Sequence, residues 1–407
     1  MRRVVITGMG AVTPIGNNVP AFREALFAGK NGIDTITKYD VTDSKYKLAG
    51  EVKDFDAVAL LGKMTARKTD PFTQYALVAA QEAMDQSGLE GTIESDRFGV
   101  CFGSGIGGIE TLCTEHQNLL EKGPRRVSPQ FVPKMIYNIA AGNLAIAFHA
   151  NGPCTAVSTA CATGATAIGE GYRTILHGYA DAMLCGGSEA AINPLTIAGF
   201  GNCQALSDAE DRNAASIPFD KRRHGFVMAE GAGVMILEEY EHAVARGANI
   251  IAEVCGYGST CDAHHVTAPD PEATYVAKAF RDALPEGTDL SRVYVNAHGT
   301  STPLNDKTET TALKLAFTEE GAKKLHISSS KSMTGHMLGA TGTVEAIAAV
   351  LALTSDTVPP TINYVEPDPE LDLDYTPNKA VSTPLDVALS SNLGFGGHNA
   401  VVAFKKV

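Results

Sequence analysis

Short apolar runs, most of them closed by glycine, alternate along the chain with longer stretches of helical spacing, and this alternation predicts an α/β fold. The first run, Val4-Val5-Ile6-Thr7, ends in the turn Gly8-Met9-Gly10. Amphipathic spacing then predicts a short helix over Pro20 to Ala28 and a longer one over Leu60 to Ser87, where Tyr75, Leu77, Val78, Ala80 and Met84 recur. Phe98 to Phe102 reads as the second strand, followed by a glycine run and a helix to Lys122. Ala156 to Ala160, small and partly β-branched, reads as a buried third strand feeding straight into a helix that reaches Leu176, with Cys161 at the turn. Ala182 to Gly187 and Gly233 to Leu237 complete a first set of five.

The pattern then restarts. Ile251 to Tyr257, Val293 to Ala297, Ile327 to Ser330, Val387 to Ser391 and Ala400 to Phe404 form a second set of five strands with helices between them. The fourth strand of each set runs into glycines, Gly186-Gly187 and Gly394-Phe395-Gly396-Gly397. The third strand of each set leads to a glycine-containing turn and a small-residue helix, Cys161 onward in one and Lys331 to Leu353 in the other. Order and spacing therefore predict an internal duplication of a βαβ-rich unit, with halves 1–250 and 251–407 and the two third helices meeting at the centre. The helix after Cys161 contains Gly164, Gly169 and Gly171. Each costs about 1 kcal/mol against alanine in a helix interior, so close backbone packing is expected to compensate.

A length of 407 residues exceeds what one hydrophobic core usually serves, which agrees with two core-bearing halves. Eight cysteines without a C-x-x-C pair or zinc spacing predict reduced thiols and a cytoplasmic protein. The start Met1-Arg2-Arg3 is basic, but Gly8, Gly10 and Pro14 interrupt the apolar run behind it before it could act as a signal segment. No run reaches about 18 apolar residues, so no membrane span is expected. A formal charge of -13 argues against nucleic acid as a partner. Gly103-Ser104-Gly105-Ile106-Gly107-Gly108 matches the glycine pattern of dinucleotide sites. Gly123-Pro124-Arg125-Arg126 stands where a second strand ending in an acidic residue should follow, which argues against that reading.

The chemistry-bearing residues fall at the ends of these elements. Cys161 opens a helix, where unpaired N–H groups and the positive end of the dipole favour a thiolate. His298, in Asn296-Ala297-His298-Gly299-Thr300-Ser301-Thr302, follows a buried strand, and Lys331-Ser332-Met333-Thr334-Gly335-His336 follows the next. Singly, each could be an ordinary core or surface residue. Together, at matching ends of duplicated elements, they form a Cys-His-His-Lys set suited to acyl-thiol chemistry.

From Val4 to Phe404 the chain resembles the β-ketoacyl-acyl carrier protein synthases, and within them the elongating enzymes of bacterial type II fatty acid synthesis. The likeness runs through Thr159 to Ala162, Pro218-Phe219-Asp220, Gly225 to Met228, Asn296 to Thr302, Lys331 to Gly342 and Gly394 to Gly397. It implies a thiolase-like fold of two similar halves packed as a five-layer αβαβα sandwich, a homodimer, and decarboxylative condensation of malonyl-carrier protein with a cysteine-bound acyl chain. The partner implied is an acyl carrier protein, presenting its substrates on phosphopantetheine, and no cofactor is implied. Carried over by residue, Cys161 would be the nucleophile, and the N–H groups of Cys161 and Phe395 its oxyanion hole. His298 and His336 would hold the enolate, Lys331 would act on it electrostatically, and Glu309 would complete the lysine's network. Thr300 and Thr302 would hold the pantetheine arm. Gly394, Gly396 and Gly397 would form a gate facing Asp262 and His265. Ile106 and Phe200 would line the acyl pocket, with Phe131 reaching that of the partner subunit. Lys63, Arg67, Lys68, Arg125 and Arg126 are the candidates for docking an acidic carrier. Asn296, Glu345, Ser390 and Ser391 fall where some relatives hold a structural monovalent cation, although Ser391 replaces the usual asparagine. Catalysis itself would need no metal.

Two further departures are Gln204, where an arginine often contacts the carrier, and His398, where threonine is common after the gate. The rival enzyme is a thiolase, which wants a second cysteine in the C-terminal glycine loop, where this chain has Phe395. A rival of another class is the non-catalytic subunit of a condensing heterodimer, against which Cys161 argues.

Overall fold

Ten strands carry the architecture of this computed structural model, which describes residues 2–407, so that Met1 of the basic start lies outside it. The first half supplies β1 (Val4–Val12), β2 (Phe98–Gly103), β3 (Cys154–Thr155), β4 (Ala182–Glu189) and β5 (Gly231–Glu239). The second supplies β6 (Ala252–Cys261), β7 (Val293–Asn296), β8 (His326–Ser328), β9 (Val387–Gly394) and β10 (His398–Lys405). Hydrogen bonding runs in the order β8-β7-β9-β10-β6-β1-β5-β4-β2-β3. Within each half, counted from its own first strand, the order is therefore 3-2-4-5-1. The directions repeat too: the second strand lies parallel to the third and fourth, and the remaining pairs are antiparallel. The halves meet where Val4, Val5 and Ile6 pair with Val254, Glu253 and Ala252.

Five layers follow from where the helices pack. Helices α1 (Pro71–Ser87) and α2 (Ile139–Ala147) cover the outer face of the first half-sheet, burying Phe72, Tyr75, Ala79, Ala83 and Leu144 against it. Helices α3 (Thr163–Leu176) and α6 (Thr341–Ser355) form the middle layer. On the far side α4 (Thr274–Ala283) lies on β6 and β10 with α5 (Pro303–Phe317) beside it. Every residue of α6 from Thr341 to Leu353 is buried. The span Leu338–Ser355, with a mean hydropathy of 1.5 over 18 residues, is long and apolar enough to cross a membrane, a length the sequence count missed. It is 89% buried inside the protein, and its apolarity is that of a helix between two sheets.

The middle helices start on the same turn. Ala160-Cys161-Ala162-Thr163-Gly164 and Leu338-Gly339-Ala340-Thr341-Gly342 each begin with a residue in the left-handed region (φ +50° for Ala160, +45° for Leu338), pass through a 3₁₀ turn and enter their helix with φ, ψ of -52°, -50°. The glycines that close the two turns let the helices touch. A Cβ on Gly164 would lie 2.5 Å from the Thr343 nitrogen, and one on Gly342 would lie 2.4 Å from the Ala165 nitrogen.

Four sequence expectations need correction. The first strand does not end in a turn at Gly8-Met9-Gly10 but continues through these residues to Val12, paired along β5. The third strand is only Cys154–Thr155, at an exposed sheet edge, and Ala156 to Ala160 is irregular because the chain must turn through Ala160 to present Cys161. The long helix from Leu60 is broken into Ala57–Leu61, Lys63–Lys68 and α1, by Gly62 at φ +78° and by the Asp70 cap with Pro71 at the first helical position. The helical stretch from Lys331 is likewise two pieces, Lys331–Thr334 and α6, with His336 in the turn between them.

Glycine packing in α3 yields a direct test. A Cβ on Gly171 would meet the Cys185 sulfur at 2.1 Å and nothing else closer than 3.6 Å. Gly171→Ala should therefore destabilise the protein by about 1–3 kcal/mol, the usual range for overpacking. Adding Cys185→Ala should recover part of that loss, so that denaturation midpoints of the two single variants and the double variant show favourable coupling. Additive losses would mean that the sulfur is not what the new methyl strikes.

Candidate active site

Both halves contribute to one cleft of about 280 Å³, lined among others by Cys161, Phe200, Phe226, His298, Thr300, Thr302, His336 and Phe395. A larger open hollow of about 1180 Å³, lined by Met9, Arg23, Phe27 and Glu82 among others, has neither cysteine nor histidine in its wall.

Cys161 reaches this cleft from the strained turn before α3. Thr163 closes that turn, its hydroxyl donating to the Ala160 carbonyl (2.7 Å) and accepting from the Thr159 N–H (2.9 Å). Burial pushes the Cys161 thiol up to about 12, while Lys331 and the N–H groups of Phe395 and of Cys161 itself pull it down. This corrects the expectation of a thiolate favoured at rest: removal of water outweighs the nearby positive groups. Those two N–H groups nevertheless converge where negative charge would develop. Phe395 lies in the hairpin between β9 and β10, and a Cβ on the preceding Gly394 would lie 2.4 Å from the Thr159 carbonyl, so glycine is needed for the hairpin to come this close.

His298 follows β7 and His336 follows Lys331–Thr334; both are buried, with rings 5.5 Å apart and nearly perpendicular. The Lys331 ammonium lies 3.3 Å from His298 Nδ1 and 2.6 Å from Glu345 Oε1. An ammonium has only protons to offer, so His298 Nδ1 accepts and its proton sits on Nε2. His336 Nδ1 lies 3.0 Å from the Thr341 hydroxyl, and donation from that hydroxyl leaves the same tautomer. Burial first, and then the Lys331 charge, hold both imidazoles well below their ordinary pKa. With the Nε2 proton fixed for His298 by the ammonium, and set for His336 when the Thr341 hydroxyl donates, two neutral rings can donate hydrogen bonds to a developing oxyanion without being general acids.

Glu309 does not complete the lysine's network through a hydrogen bond. Its carboxylate accepts from the N–H groups of His298 (2.7 Å) and Gly299 (2.8 Å) and from the Ser391 hydroxyl (2.6 Å), which clamps the turn that carries His298. The partner of Lys331 is Glu345, whose carboxyl burial raises to about 7 against the pull of the lysine. Ser391 likewise faces Glu309 and is not with the cation candidates. Alternation along β9 puts Ser390 and Asn392 on the other side, where Asn392 donates to Glu345 (2.7 Å). There, both side-chain polar atoms of Asn296, Ser390 Oγ and Asn392 Oδ1 are buried without partners. This oxygen-rich donor set fits a monovalent cation, with Asn392 in the place expected for Ser391. Among the described residues no cluster of three His, Cys, Asp or Glu could hold a metal ion.

Thr300 and Thr302 join hydroxyls at 2.8 Å in the cleft wall. Asp262 accepts from Asn399 (2.6 Å) beside the glycine hairpin, whereas His265 is exposed and accepts from the N–H groups of Thr267 and Ala268. Gly396 and Gly397 hold φ of +89° and +78°, as the hairpin requires. Ile106 and Phe200 pack in one apolar cluster with Cys161, Phe226 and Leu338. Phe131 is half-buried at the start of the helix Phe131–Met135, away from the cleft lining. Gln204 lines the cleft, as does the exposed Cys203. Lys63, Arg67 and Lys68 are exposed on Lys63–Lys68, and Arg125 and Arg126 are exposed after the helix Ile109–Lys122. Buried Asp70 joins the two segments by accepting from the Thr111 N–H (2.9 Å) and hydroxyl (2.6 Å). The N–H groups of Gly105 and Ile106, in the dinucleotide-like glycine run, donate to Glu189, so this anion cradle is filled from within.

Family models for the β-ketoacyl synthase N-terminal domain and C-terminal domain match residues 1–243 and 251–365. The chain belongs to the β-ketoacyl synthase family. A 3-oxoacyl-[acyl-carrier-protein] synthase 2 from Synechocystis sp. is 50% identical to it, over 100% of this chain and 98% of that relative. The protein of the same name from Staphylococcus aureus is 51% identical with the same coverage. Among solved structures, a β-ketoacyl synthase from Burkholderia phymatum superposes with a TM-score of 0.90 at 34% identity, covering 100% of both chains. A type II PKS acyl-carrier protein in complex with its ketosynthase bound to the hexaketide gives 0.89 at 36%, covering 100% of this chain and 99% of that one. The thiolase-like fold and the condensing acyltransferase activity are those of this family, which sets the thiolase rival aside. Glu345, Thr341, Asn392 and Glu189 are site residues to which sequence reasoning gave no role or a different one.

The neutral histidines imply a pH dependence. Each is unprotonated when folded but titrates near its ordinary 6.5 when unfolded, so below that pH the unfolded chain binds more protons and stability falls as pH drops. The loss approaches about 1.4 kcal/mol per pH unit for each histidine. Glu345 acts in the opposite sense between its ordinary 4.5 and about 7, where the folded carboxyl holds a proton that the unfolded one releases. Replacing both His298 and His336 by Gln should flatten the decline in unfolding free energy between about pH 6.5 and 5 by close to two protons. Equal slopes for the variant and the parent would show that both imidazoles take up protons in the folded protein as they do in the unfolded chain, and a difference of one proton that one of them does.

Proposed function

We propose that this protein elongates fatty acyl chains by two carbons, as a cytoplasmic homodimer that takes both substrates from acyl carrier protein. The observation that carries this reading is the convergence, in one cleft, of a buried thiol under two N–H donors and two neutral imidazoles backed by a buried lysine. The Cys161 sulfur would attack the thioester carbonyl of an acyl-carrier protein. The tetrahedral oxyanion would rest on the N–H groups of Cys161 and Phe395, and the pantetheine sulfur would leave carrying the cysteine's proton. Malonyl-carrier protein would then lose carbon dioxide. The resulting enolate oxygen would be held by Nε2–H of His298 and His336, and its carbon would attack the acyl-cysteine carbonyl, breaking the C–S bond and releasing the Cys161 sulfur as a thiolate that takes up a proton from solvent. Thr300 and Thr302 would hold the pantetheine, and the glycine hairpin would move to admit the chain. A monovalent cation at Asn296, Ser390 and Asn392 would neutralise the second Glu345 oxygen. A non-catalytic partner role is disfavoured because every group of this scheme is present.

The homodimer is supported by the unpaired edge of β3 and by exposed Leu120, Val132, Tyr137 and Ile146 in the segment leading to it, where Phe131 also sits. Eight free cysteines support a reducing compartment. The domains are taken as 1–250 and 251–407, a division supported by the repeated strand order.

Different residues should limit the two half-reactions. His336→Ala should lower condensation roughly 10²-fold, by analogy with loss of one oxyanion donor, while the acyl-enzyme accumulates. Cys161→Gln should still release carbon dioxide from malonyl-carrier protein. Intact mass and carbon dioxide release read both, and a His336→Ala protein that decarboxylates normally but is never acylated would reverse the assigned roles. Docking is testable separately. Arg67→Glu with Lys68→Glu should raise the KM for carrier substrates and flatten its salt dependence with kcat nearly intact, since exposed charges act mainly on encounter; unchanged kinetics would put the docking surface elsewhere.

A further inference from the structure

Glu189, the last residue of β4, is fully buried and has no cation among its hydrogen-bond partners. Its carboxylate is satisfied by four donors. Oε2 accepts from the N–H groups of Gly105 (2.8 Å) and Gly339 (3.0 Å), and Oε1 from the Ser104 hydroxyl (2.8 Å) and the Ile106 N–H (3.1 Å). Burial raises its pKa and these donors lower it. An apolar residue in its place would leave these buried donors of two different loops without a partner, so the carboxylate is what ties the loops together.

The donors come from both halves and border both sides of the chemistry. Ile106 belongs to the apolar cluster that contains Cys161, Phe200 and Leu338. Gly339 lies between His336 and Thr341, the pair joined at 3.0 Å. Gly339 is also the counterpart of Cys161 in the repeated turn that starts the middle helices. Where the first copy of that turn presents a thiol, the second presents an N–H group to Glu189. The packing leaves no slack: a Cβ on Gly339 would lie 2.4 Å from the Gly105 nitrogen and 2.9 Å from Glu189 Oε2.

We propose that Glu189 is a positioning residue for both half-reactions, one carboxylate that fixes the Ile106 wall beside Cys161 and the Gly339 turn that aims His336. Through the wall it sets which acyl chains Cys161 accepts. Through the turn it sets how well the enolate is held. The inference rests on the condensing function proposed above and adds to it a residue that touches neither substrate.

Glu189→Gln keeps the shape but removes the negative charge that strengthens all four hydrogen bonds and turns one accepting oxygen into a donor, so both clamps loosen. The experiment measures three quantities on parent and variant: Cys161 acylation by a short and by a long acyl-carrier protein, by intact mass, and carbon dioxide release from malonyl-carrier protein. The ratio of long-chain to short-chain acylation should change by about tenfold, and carbon dioxide release should fall by about tenfold or more, with short-chain acylation changed much less. A merely structural role would lower both chain lengths together and leave their ratio unchanged, which would overturn the proposal. Ser104→Ala, which removes one donor and leaves the carboxylate, should shift the same ratio in the same direction by less. If Glu189→Gln does not fold, an unchanged ratio and unchanged carbon dioxide release in Ser104→Ala overturn it. A parent protein that is neither acylated nor decarboxylating would instead overturn the condensing reading itself.

Discussion

The ion pair between Lys331 and Glu345 is the interaction on which the site depends. The two side chains are 2.6 Å apart and only 1% exposed, one just after β8 and the other on α6. Removing one member of such a pair typically costs about 3–5 kcal/mol, because the other charge is left stranded. The pair places a fixed positive charge behind both histidines, which orients the His298 proton towards the cleft and adds to burial in keeping both rings neutral. The same charge is the strongest influence drawing the Cys161 thiol towards ionisation. One buried lysine thus serves the nucleophile and the enolate donors together, and only the meeting of the two halves puts it within reach of both.

Duplication explains how the halves came to differ. Both carry the same strand order and the same left-handed turn into a middle helix. At such a turn the helix start offers unpaired N–H groups to an anion. In the first half that end is open and holds Cys161. In the second it is closed by the Glu189 carboxylate, and the loop ahead of it carries His336. The symmetry of the backbone is retained while the chemistry of the two ends is divided.

Much of this was legible in the sequence. Strand number, the repeat and the placement of Cys161, His298, Lys331 and His336 at element ends follow from periodicity and from glycine positions, which are local. Which carboxylate meets Lys331 is not local: Glu309 and Glu345 both lie on helices after the lysine-bearing half has begun, and only the rotation of α6 selects Glu345. Ser391 is a different case, because period-two alternation along β9 puts Ser390 and Asn392 on one face and Ser391 on the other, a signal present in the sequence and not used. Glu189 could also have been found, as a lone acid ending a strand of small residues opposite a glycine run rich in N–H groups. The resting state of Cys161 could not, since helix position is visible in a sequence and removal of water is not.

The pairing of β1 has a consequence for how the chain reaches this state. Val5 lies between Glu238 on one side and Glu253 on the other, so a strand made first has no partner until more than half the polypeptide exists. At roughly 5–20 residues per second of synthesis, that interval lasts on the order of ten seconds or more. Throughout it an apolar strand with both edges unpaired stands open to other chains, and the contacts that end its exposure are among the most distant in the molecule. The arrangement that joins the halves at the centre therefore also makes the earliest segment wait longest for its partners, and ties successful assembly to protection of the nascent chain during that time.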